Sequence, residues 1–287
     1  MSRPAARPGG ARRRRVAVGA LIGSGHPKPV LAMTILFAAM AVATGRDALG
    51  VALVAAAVVT GQLSIGWLND LCDVERDRQT GRADKPLAAG AISTRAVRVS
   101  AVTAALACIP LSLASGILAG SLHLIAVAAG WAYDLGLKAS RASVLTFVVN
   151  MSLSPLFVVY GLPGSPHPPW WLPAVTTLLG CGAHFGNVLR DLDDDLATGV
   201  RGLPQQLGTA TSRVLSVTLT LAAVVLLAVT APLRPAVAVG APLVAVLILA
   251  AGFLTNAGPR SQRPFQAVSV VGLITVGLLI SLGPYLH

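Results

Sequence analysis

The chain has 287 residues, of which 54% are hydrophobic and only 11% are charged, and its mean hydropathy is +0.73. A soluble domain usually carries about 25% charged residues, so this composition argues against a soluble fold and favours a bilayer protein. The formal net charge of +11 is compatible with nucleic-acid binding. A basic segment beside anionic lipid explains the same charge, so we expect membrane lipids as partners and no nucleic acid.

Residues 1–27 are rich in Gly, Pro and Arg, and residues 12–15 are four consecutive arginines. This composition predicts a basic, disordered cytoplasmic tail. It is not typical of a cleaved signal peptide, because the first apolar run is preceded by a long Arg-rich segment and has no small-residue cleavage site followed by a soluble domain. Residues 28–287 are then expected to form one transmembrane domain.

The apolar stretches predict an all-α integral membrane protein. A helix needs roughly 20 mostly apolar residues to cross the hydrocarbon core. The chain contains about nine such stretches, which we expect to form transmembrane helices in one bundle: 29–45, 49–68, 96–116, 118–133, 143–161, 171–188, 212–231, 235–254 and 266–285.

The charged residues predict an orientation for these spans. With a cytoplasmic amino terminus, all of the 22 Lys and Arg except Arg46 and Arg234 fall in the tail or in the loops after even-numbered spans. This asymmetry is what the positive-inside rule requires. All of the 11 Asp and Glu except Asp47 lie in three of the same loops. Orientation does not demand acids there, so their concentration indicates a functional site.

One motif occurs twice, in the loops after spans two and six. Both copies read N-x-x-x-D-x-x-x-D-x-x-T-G. The first comprises Asn69, Asp73, Asp77, Thr80 and Gly81, and the second comprises Asn187, Asp191, Asp195, Thr198 and Gly199. The duplication predicts two four-helix halves related as a parallel repeat, with a ninth helix added.

The motif spacing suits a metal site. Residues at i, i+4 and i+8 share one helical face, so each copy projects an amide and two carboxylates along one stripe. Such hard oxygen ligands suit Mg²⁺, which keeps other positions for water and substrate phosphate. An isolated pair of this spacing is ordinarily a solvated face, but duplication beside apolar spans favours a site. Four further acids point off the stripe, and their roles stay open: Asp70, Glu75, Asp193 and Asp194.

Basic residues accompany the carboxylates. Arg78, Arg82 and Lys85 follow the first motif, and Arg190 lies inside the second. Tyr133, Lys138 and Arg141 lie between spans four and five. A diphosphate needs metal ions and cationic side chains to neutralise its charge, although each basic residue could instead be a positive-inside anchor. For His184, one turn before Asn187, packing is the favoured interpretation over a catalytic role.

At these motifs the chain resembles the UbiA superfamily of intramembrane prenyltransferases, which carry NxxxDxxxD after the second helix and DxxxD after the sixth. The segment 82–93, RADKPLAAGAIS, is similar to a further family segment, with Lys85 where Arg is common. The resemblance implies that four aspartates bind Mg²⁺–diphosphate with help from Asn69. These are Asp73, Asp77, Asp191 and Asp195. Tyr133 and Lys138 resemble a family Tyr–Lys pair.

The implied reaction is Mg²⁺-dependent ionisation of an isoprenyl diphosphate, followed by capture of the carbocation by an acceptor, with an aromatic ring as the expected nucleophile. The residues expected to bind the diphosphate are Asn69, Arg78, Arg82, Lys85, Tyr133, Lys138, Asn187 and Arg190. Lys138 is also expected to act in catalysis with the four aspartates.

Other functions remain open. A membrane terpene cyclase of the same fold would ionise the diphosphate without an acceptor. A cation transporter is disfavoured because its acids should lie near mid-membrane, and a CDP-alcohol phosphotransferase because its DGxxAR element is missing from the sequence. The Ala/Arg/Val-rich composition suggests a bacterial inner membrane. The acceptor, the donor chain length, the oligomeric state and the role of Asp84 are left undetermined.

Overall fold

The computed structural model describes residues 10–189, 192–255 and 261–287. Within these ranges the regular structure is entirely helical, and short 3₁₀ turns occur at Leu137–Ala139 and Gly283–Tyr285. The helices are α1 Gly10–Ser24, α2 Pro27–Ala43, α3 Ala48–Gln79, α4 Thr94–Leu113, α5 Ile117–Asp134, α6 Ser143–Tyr160, α7 Trp171–Val188, α8 Leu192–Ala197, α9 Leu203–Thr230, α10 Pro235–Leu254 and α11 Arg263–Ser281.

The predicted all-α membrane fold is confirmed, and each apolar stretch corresponds to one of the helices α2–α7 and α9–α11. Seven helices of the described chain are long and apolar enough to cross a membrane, or eight if the bent pair α1–α2 is one span. Neither α7, which carries Thr, His and Asn residues, nor the 17-residue α2 alone is among the seven. The expected number of nine spans is therefore approximate.

The amino-terminal segment differs from the expected disordered tail, because residues 10–24 form α1. Its second half is apolar and packs against the bundle, where Trp67 Nε1 donates a hydrogen bond to the Leu21 carbonyl at 2.9 Å. Residues 17–24 are bent by 62° from α2. The expectation of disorder was thus wrong for 10–24, since a composition average over the tail conceals this apolar half; residues 1–9 lie outside the described ranges.

The helices pack in two equivalent series. In the first half α2 packs on α3, α3 on α4 and α4 on α5, and in the second α6 packs on α7, α7 on α9 and α9 on α10. The last helix, α11, contacts α7, α9, α10 and α2, so it closes the bundle. The core includes the fully buried Phe157, Leu172 and Leu227.

The repeat extends beyond the motif. In both copies the final Thr-Gly ends a helix: Gly81 and Gly199 have φ of +69° and +82°. The carbonyls of Asp77 and Asp195 accept hydrogen bonds from the amides five residues later, at 2.9 and 2.8 Å. Such left-handed glycines are typical helix C-caps, so the Thr-Gly pair is structural. Farther along, Pro86 and Gly90 stand in register with the corresponding Pro and Gly of the second copy, Pro204 and Gly208.

The two copies differ in helix continuity. The first lies on α3, whose 32 residues span about 48 Å at about 1.5 Å per residue and so exceed the roughly 30 Å hydrocarbon core. Asn187 of the second copy lies on α7, but Asp195 lies on α8. The expectation of one helical stripe is therefore correct for the first copy, and for the second it stays a prediction because Asp191 lies outside the described residues. The carboxyl end of α3 lies at one side of the bundle, and we call this side the motif end.

Candidate diphosphate and metal site

Three carboxylates lie buried on α3 at the motif end. Asp70, Asp73 and Asp77 have relative exposures of 2%, 7% and 5%. Because one helical turn is 3.6 residues, spacings of three and four place all three on neighbouring positions of one face. The expectation that Asp70 points off the stripe was therefore wrong. Charged groups so deeply buried are costly unless paired, so their partners define the site.

Cations from three parts of the chain pair with these carboxylates. Lys138 Nζ lies 2.5 Å from Asp73 Oδ1, and Arg76 lies 2.9 Å from the other oxygen of Asp73. Lys85 Nζ lies 2.6 Å from Asp70 Oδ1 and 3.6 Å from Asp77 Oδ2. The structure thus brings together the predicted residues Asp73, Asp77, Lys85 and Lys138 from separate segments.

His26 joins this cluster, and it was not among the predicted site residues. Its Nε2 lies 2.9 Å from Asp70 Oδ1, and its backbone is left-handed, with φ of 53°. The chain reaches this position because Gly66 on α3 has no side chain: a Cβ there would lie 2.6 Å from the Gly25 carbonyl oxygen. The Gly25-His26-Pro27 sequence between the apolar half of α1 and α2 was the available signal.

Asn69 is fixed by Asp134 at the end of α5. Asn69 Nδ2 donates to Asp134 Oδ1 at 2.9 Å. Asp134 is 5% exposed, and its Oδ2 has no hydrogen-bond partner among the described residues. Asp134 was recognised in the sequence as a loop acid but not as a site residue. The side chain of Asn69 therefore has a defined orientation beside the carboxylate cluster.

A cavity of about 380 Å³ extends from Asn69 and Asp134 into the bundle. It is bounded by α2, α3, α5 and α6 together with His26, and apolar groups form most of its surface. Its lining includes Met33, Gln62, Asn69, Asp134, Asn150 and Met151. A charged site thus adjoins an apolar chamber of the size of small-molecule pockets.

The loop after the second motif lies against the Lys138 turn. Gly202 approaches so closely that a Cβ would lie 2.6 Å from the Lys138 carbonyl oxygen. The Leu203 amide donates to Ser143 Oγ at 3.1 Å. Asp195 accepts a hydrogen bond from Gln205 Nε2 at 2.8 Å. The second motif is therefore tied to the segment that carries Lys138.

Tyr133 lines the cavity, and its ring meets the rings of Phe147 and His184 edge-on, at centroid distances of 5.5 and 5.9 Å. His184 stacks on Phe147 with a centroid distance of 4.3 Å and lies 3.4 Å from Ser143 Oγ. These contacts agree with the predicted packing role of His184.

Several predicted residues lie away from this cluster or outside the described chain. Asn187 is exposed at the end of α7. Asp191 and Arg190 fall outside the described residues, as do the side chains of Asp193 and Asp194. The assignments of Asn187, Arg190 and Asp191 stay predictions, and the roles of Asp193 and Asp194 stay open.

Arg78 and Arg82 point toward solvent. Arg78 lies 3.8 Å from Glu75, and Arg82 Nε donates to Asp84 Oδ1 at 2.9 Å. The Arg82 hydrogen bond lowers the pKa of Asp84 below its ordinary value. With Asp77 they line an open pocket of about 230 Å³ on the outer side of α3. They are therefore placed near the first motif but on a solvated surface.

The donor set is compatible with Mg²⁺. Among the described residues, no three His, Cys, Asp or Glu side chains lie close enough to hold a metal ion by themselves. Mg²⁺ commonly uses only one or two protein carboxylates and completes its shell with water and substrate phosphate. Asp73 and Asp77 meet that requirement. The ammonium groups of Lys138 and Lys85 lie against these two carboxylates, so both positions accept a positive charge.

The fold and site define a class: a multi-pass helical membrane protein with a buried carboxylate cluster at one end and an apolar cavity beside it. The chain belongs to the UbiA prenyltransferase family, because the model of that family matches residues 30–280. A comparison with curated proteins finds no significant match.

Solved structures of UbiA homologues have the same fold. A structure reported for digeranylgeranylglyceryl phosphate synthase has a TM-score of 0.71 at 16% identity and covers 93% of this chain and 99% of its own. An Archaeoglobus fulgidus UbiA homologue bound to GPP and Mg²⁺ gives 0.68 at 18%, covering 92% and 98%. An apo homologue from Aeropyrum pernix K1 gives 0.67 at 19%, covering 85% and 96%.

Proposed function

We propose that this protein transfers an isoprenyl group from an isoprenyl diphosphate to a lipophilic acceptor, with an aromatic ring as the expected nucleophile, in a Mg²⁺-dependent reaction. The observation that carries the proposal is that the buried Asp73 lies one helical turn beyond Asn69, which lines the apolar cavity. Lys138 pairs with Asp73, and Lys85 pairs with Asp77 one turn farther out. A molecule with a charged head and a hydrocarbon tail matches this pair of environments.

The side chains of this chain have distinct tasks in such a reaction. Bound Mg²⁺ would supply positive charge to the diphosphate oxygens, with Asp73 and Asp77 as its ligands and Asp191 and Asp195 completing the acidic set. Lys138 and Lys85 then stabilise the diphosphate as it gains negative charge.

The bond changes follow from the chemistry of the donor. The allylic carbon–oxygen bond breaks, and its electron pair leaves with the diphosphate. The acceptor forms a new bond to the allylic carbon and loses a proton. The apolar cavity holds the tail and keeps water away from the cation.

Family membership supports this reaction type, and so do the solved relatives. The Archaeoglobus fulgidus homologue has been described with GPP and Mg²⁺ and with DMAPP and Mg²⁺. The distribution of Lys and Arg supports a cytoplasmic motif end and a cytoplasmic amino terminus. We propose a bacterial inner membrane as the location.

The test is diphosphate release by purified protein in nanodiscs. Geranyl, farnesyl and geranylgeranyl diphosphate are supplied with Mg²⁺ or EDTA and with a panel of aromatic acceptors. We expect release that needs Mg²⁺ and an acceptor and that is lost in Asp73→Ala and Asp191→Ala. Glu75→Ala is the matched control, because that carboxylate lies on the same helix but its side chain is 72% exposed. Release without acceptor, with a cyclised hydrocarbon product, would instead identify a terpene cyclase.

A further inference from the structure

The residues of α3 that line the cavity near the carboxylates give the depth of this cavity. Its outer end is marked by Asn69 and its inner end by Gln62, with Gly66 between them. Seven residues of helix correspond to about 10.5 Å at about 1.5 Å per residue. Because Asn69 is itself expected to contact the Mg²⁺–diphosphate head, this length is what the cavity leaves for the tail.

At its inner end the cavity is bounded by residues of three helices. Met33 of α2, Gln62 of α3, and Asn150 with Met151 of α6 are the innermost lining residues of these helices. Asn150 is held in place because its Nδ2 donates to the Ala126 carbonyl at 2.8 Å. These side chains form a floor that we call the amide floor after Gln62 and Asn150.

A second, much smaller void lies directly below the amide floor. Gln62 and Asn150 line both spaces, whereas Phe37, Val58 and His123 line only the deeper one. The deeper void has a volume of about 10 Å³, about enough for one water molecule. With both floor side chains in place, this deeper void is therefore too small for an isoprene unit.

The depth of the cavity can be compared with the length of an isoprenoid tail. Three single bonds of an extended chain span at most about 3.6 Å, so an isoprene unit, with four bonds along the chain, spans roughly 4.8 Å. Two units then need about 9.6 Å, close to the cavity depth, whereas three units need about 14 Å. A third unit would meet the amide floor.

From this match we infer that Gln62, supported by Asn150, limits the donor to a short chain and makes geranyl diphosphate the preferred donor. The inference rests on the proposed function, since it names the donor for the same site. The limit is set by the volume of the Gln62 side chain, which separates the cavity from the void beside His123. Removal of that side chain joins the two spaces along the direction of the tail.

The experiment compares the three donors in two ways. The kcat/KM for diphosphate release is measured with geranyl, farnesyl and geranylgeranyl diphosphate, and the thermal stabilisation of the purified protein by each donor is measured independently of turnover. Gln62→Ala opens the floor, and Gln62→Met keeps a side chain of similar length. Gln79→Ala is the matched control, because Gln79 lies at the exposed end of the same helix.

We expect the wild-type protein to favour geranyl over geranylgeranyl diphosphate by at least about tenfold, since even one extra methylene in a closed pocket costs about that much. Gln62→Ala should raise the relative use of farnesyl diphosphate by at least about tenfold. Gln62→Met and Gln79→Ala should keep the wild-type preference.

Equal use of all three donors by the wild-type protein, or an unchanged preference in Gln62→Ala, would overturn the chain-length limit while leaving the transferase proposal intact. Absence of turnover with every donor would count against the proposed function. In that case stabilisation by geranyl but not geranylgeranyl diphosphate would still support the limit. Stabilisation by none of them, from folded protein, would overturn both.

Discussion

The Asn69 amide donates a hydrogen bond to the Asp134 carboxylate across the interface between α3 and α5, at 2.9 Å. This bond determines which end of the Asn69 amide faces Asp134, and it leaves the carbonyl oxygen of Asn69 as the group able to approach a metal or the diphosphate. Groups that orient a ligand in this way commonly contribute tenfold to hundredfold to affinity or activity. We therefore infer that Asp134 is a positioning residue for Asn69 in the proposed site.

This relationship predicts the effect of replacing Asp134. We expect Asp134→Ala to lower kcat/KM for diphosphate release by about tenfold to hundredfold and to raise the Mg²⁺ concentration needed for half-maximal rate. Asp134→Glu should restore part of the activity, since it keeps a hydrogen-bond acceptor. A variant with wild-type rate and Mg²⁺ dependence would show that Asn69 needs no such support.

The ion pairs of Lys138 and Arg82 predict unequal roles in donor binding. The Lys138 side chain is 14% exposed and contacts Asp73, whereas that of Arg82 is 45% exposed and pairs with Asp84. We expect Lys138→Met to lower kcat/KM by at least about hundredfold, in the range for loss of a preorganised charge-stabilising donor. Arg82→Met should lower it less than about fivefold, because exposed ion pairs contribute at most about 1 kcal/mol.

Steady-state kinetics with a varied donor concentration measures both effects. Arg98→Met is a suitable control, because Arg98 lies on α4 and belongs to neither motif. If the two variants lost activity equally, the exposed pocket beside Asp77 would have to be regarded as part of the donor site.

The sequence contained enough information to predict the helices and the first half of the site. Long apolar stretches determine transmembrane helices because unpaired backbone groups are too costly in lipid. Asp73 and Asp77 could be assigned to one face because the helix period is fixed. Lys138 could be linked to them only as one of several basic residues near the predicted site and through the family resemblance, since its position depends on how the turn after α5 packs.

The position of His26 and the distribution of the second motif over α7 and α8 could not be predicted in the same way. His26 lies 44 residues before its partner Asp70, and their contact depends on the close approach of Gly25 to Gly66. The duplicated spacing suggested equal geometry for both copies, yet the second is distributed over α7 and α8. Sequence periodicity predicts a helical face only where the helix continues, and helix ends depend on tertiary contacts.

The Lys85–Asp70 pair predicts a stability effect. The Asp70 side chain is 1% exposed and Lys85 is 15% exposed, so Lys85→Met leaves a buried carboxylate with His26 as its remaining partner. Removal of one member of a buried pair costs about 3–5 kcal/mol, and we expect a loss near the lower end. Adding Asp70→Asn should recover part of that loss, because the uncompensated charge disappears.

Denaturant unfolding in mixed micelles measures these free energies. The control pair is Arg78 and Glu75, whose side chains are 48% and 72% exposed. Arg78→Met should change the free energy of unfolding by less than about 1 kcal/mol. Equal losses for Lys85→Met and Arg78→Met would mean that Asp70 is not held by Lys85 in the folded protein.

Gly202 predicts how tightly the second motif depends on the Lys138 turn. A Cβ at this position would lie 2.6 Å from the Lys138 carbonyl oxygen and 2.7 Å from Gln205 Oε1. Because the first of these atoms belongs to the backbone, it cannot rotate away, and Gly202→Ala must displace the turn that presents Lys138 to Asp73. A displacement of about 1 Å can lower a rate by about hundredfold.

We therefore expect Gly202→Ala to lower kcat/KM by between about tenfold and hundredfold while the protein still folds. Gly240→Ala on α10 is the matched control, because a Cβ there would meet no atom within 4 Å. Its activity should equal that of the wild-type protein. If Gly202→Ala also kept full activity, the loop after the second motif would be free to move away from Lys138, and the contact between them would not be needed to build the site.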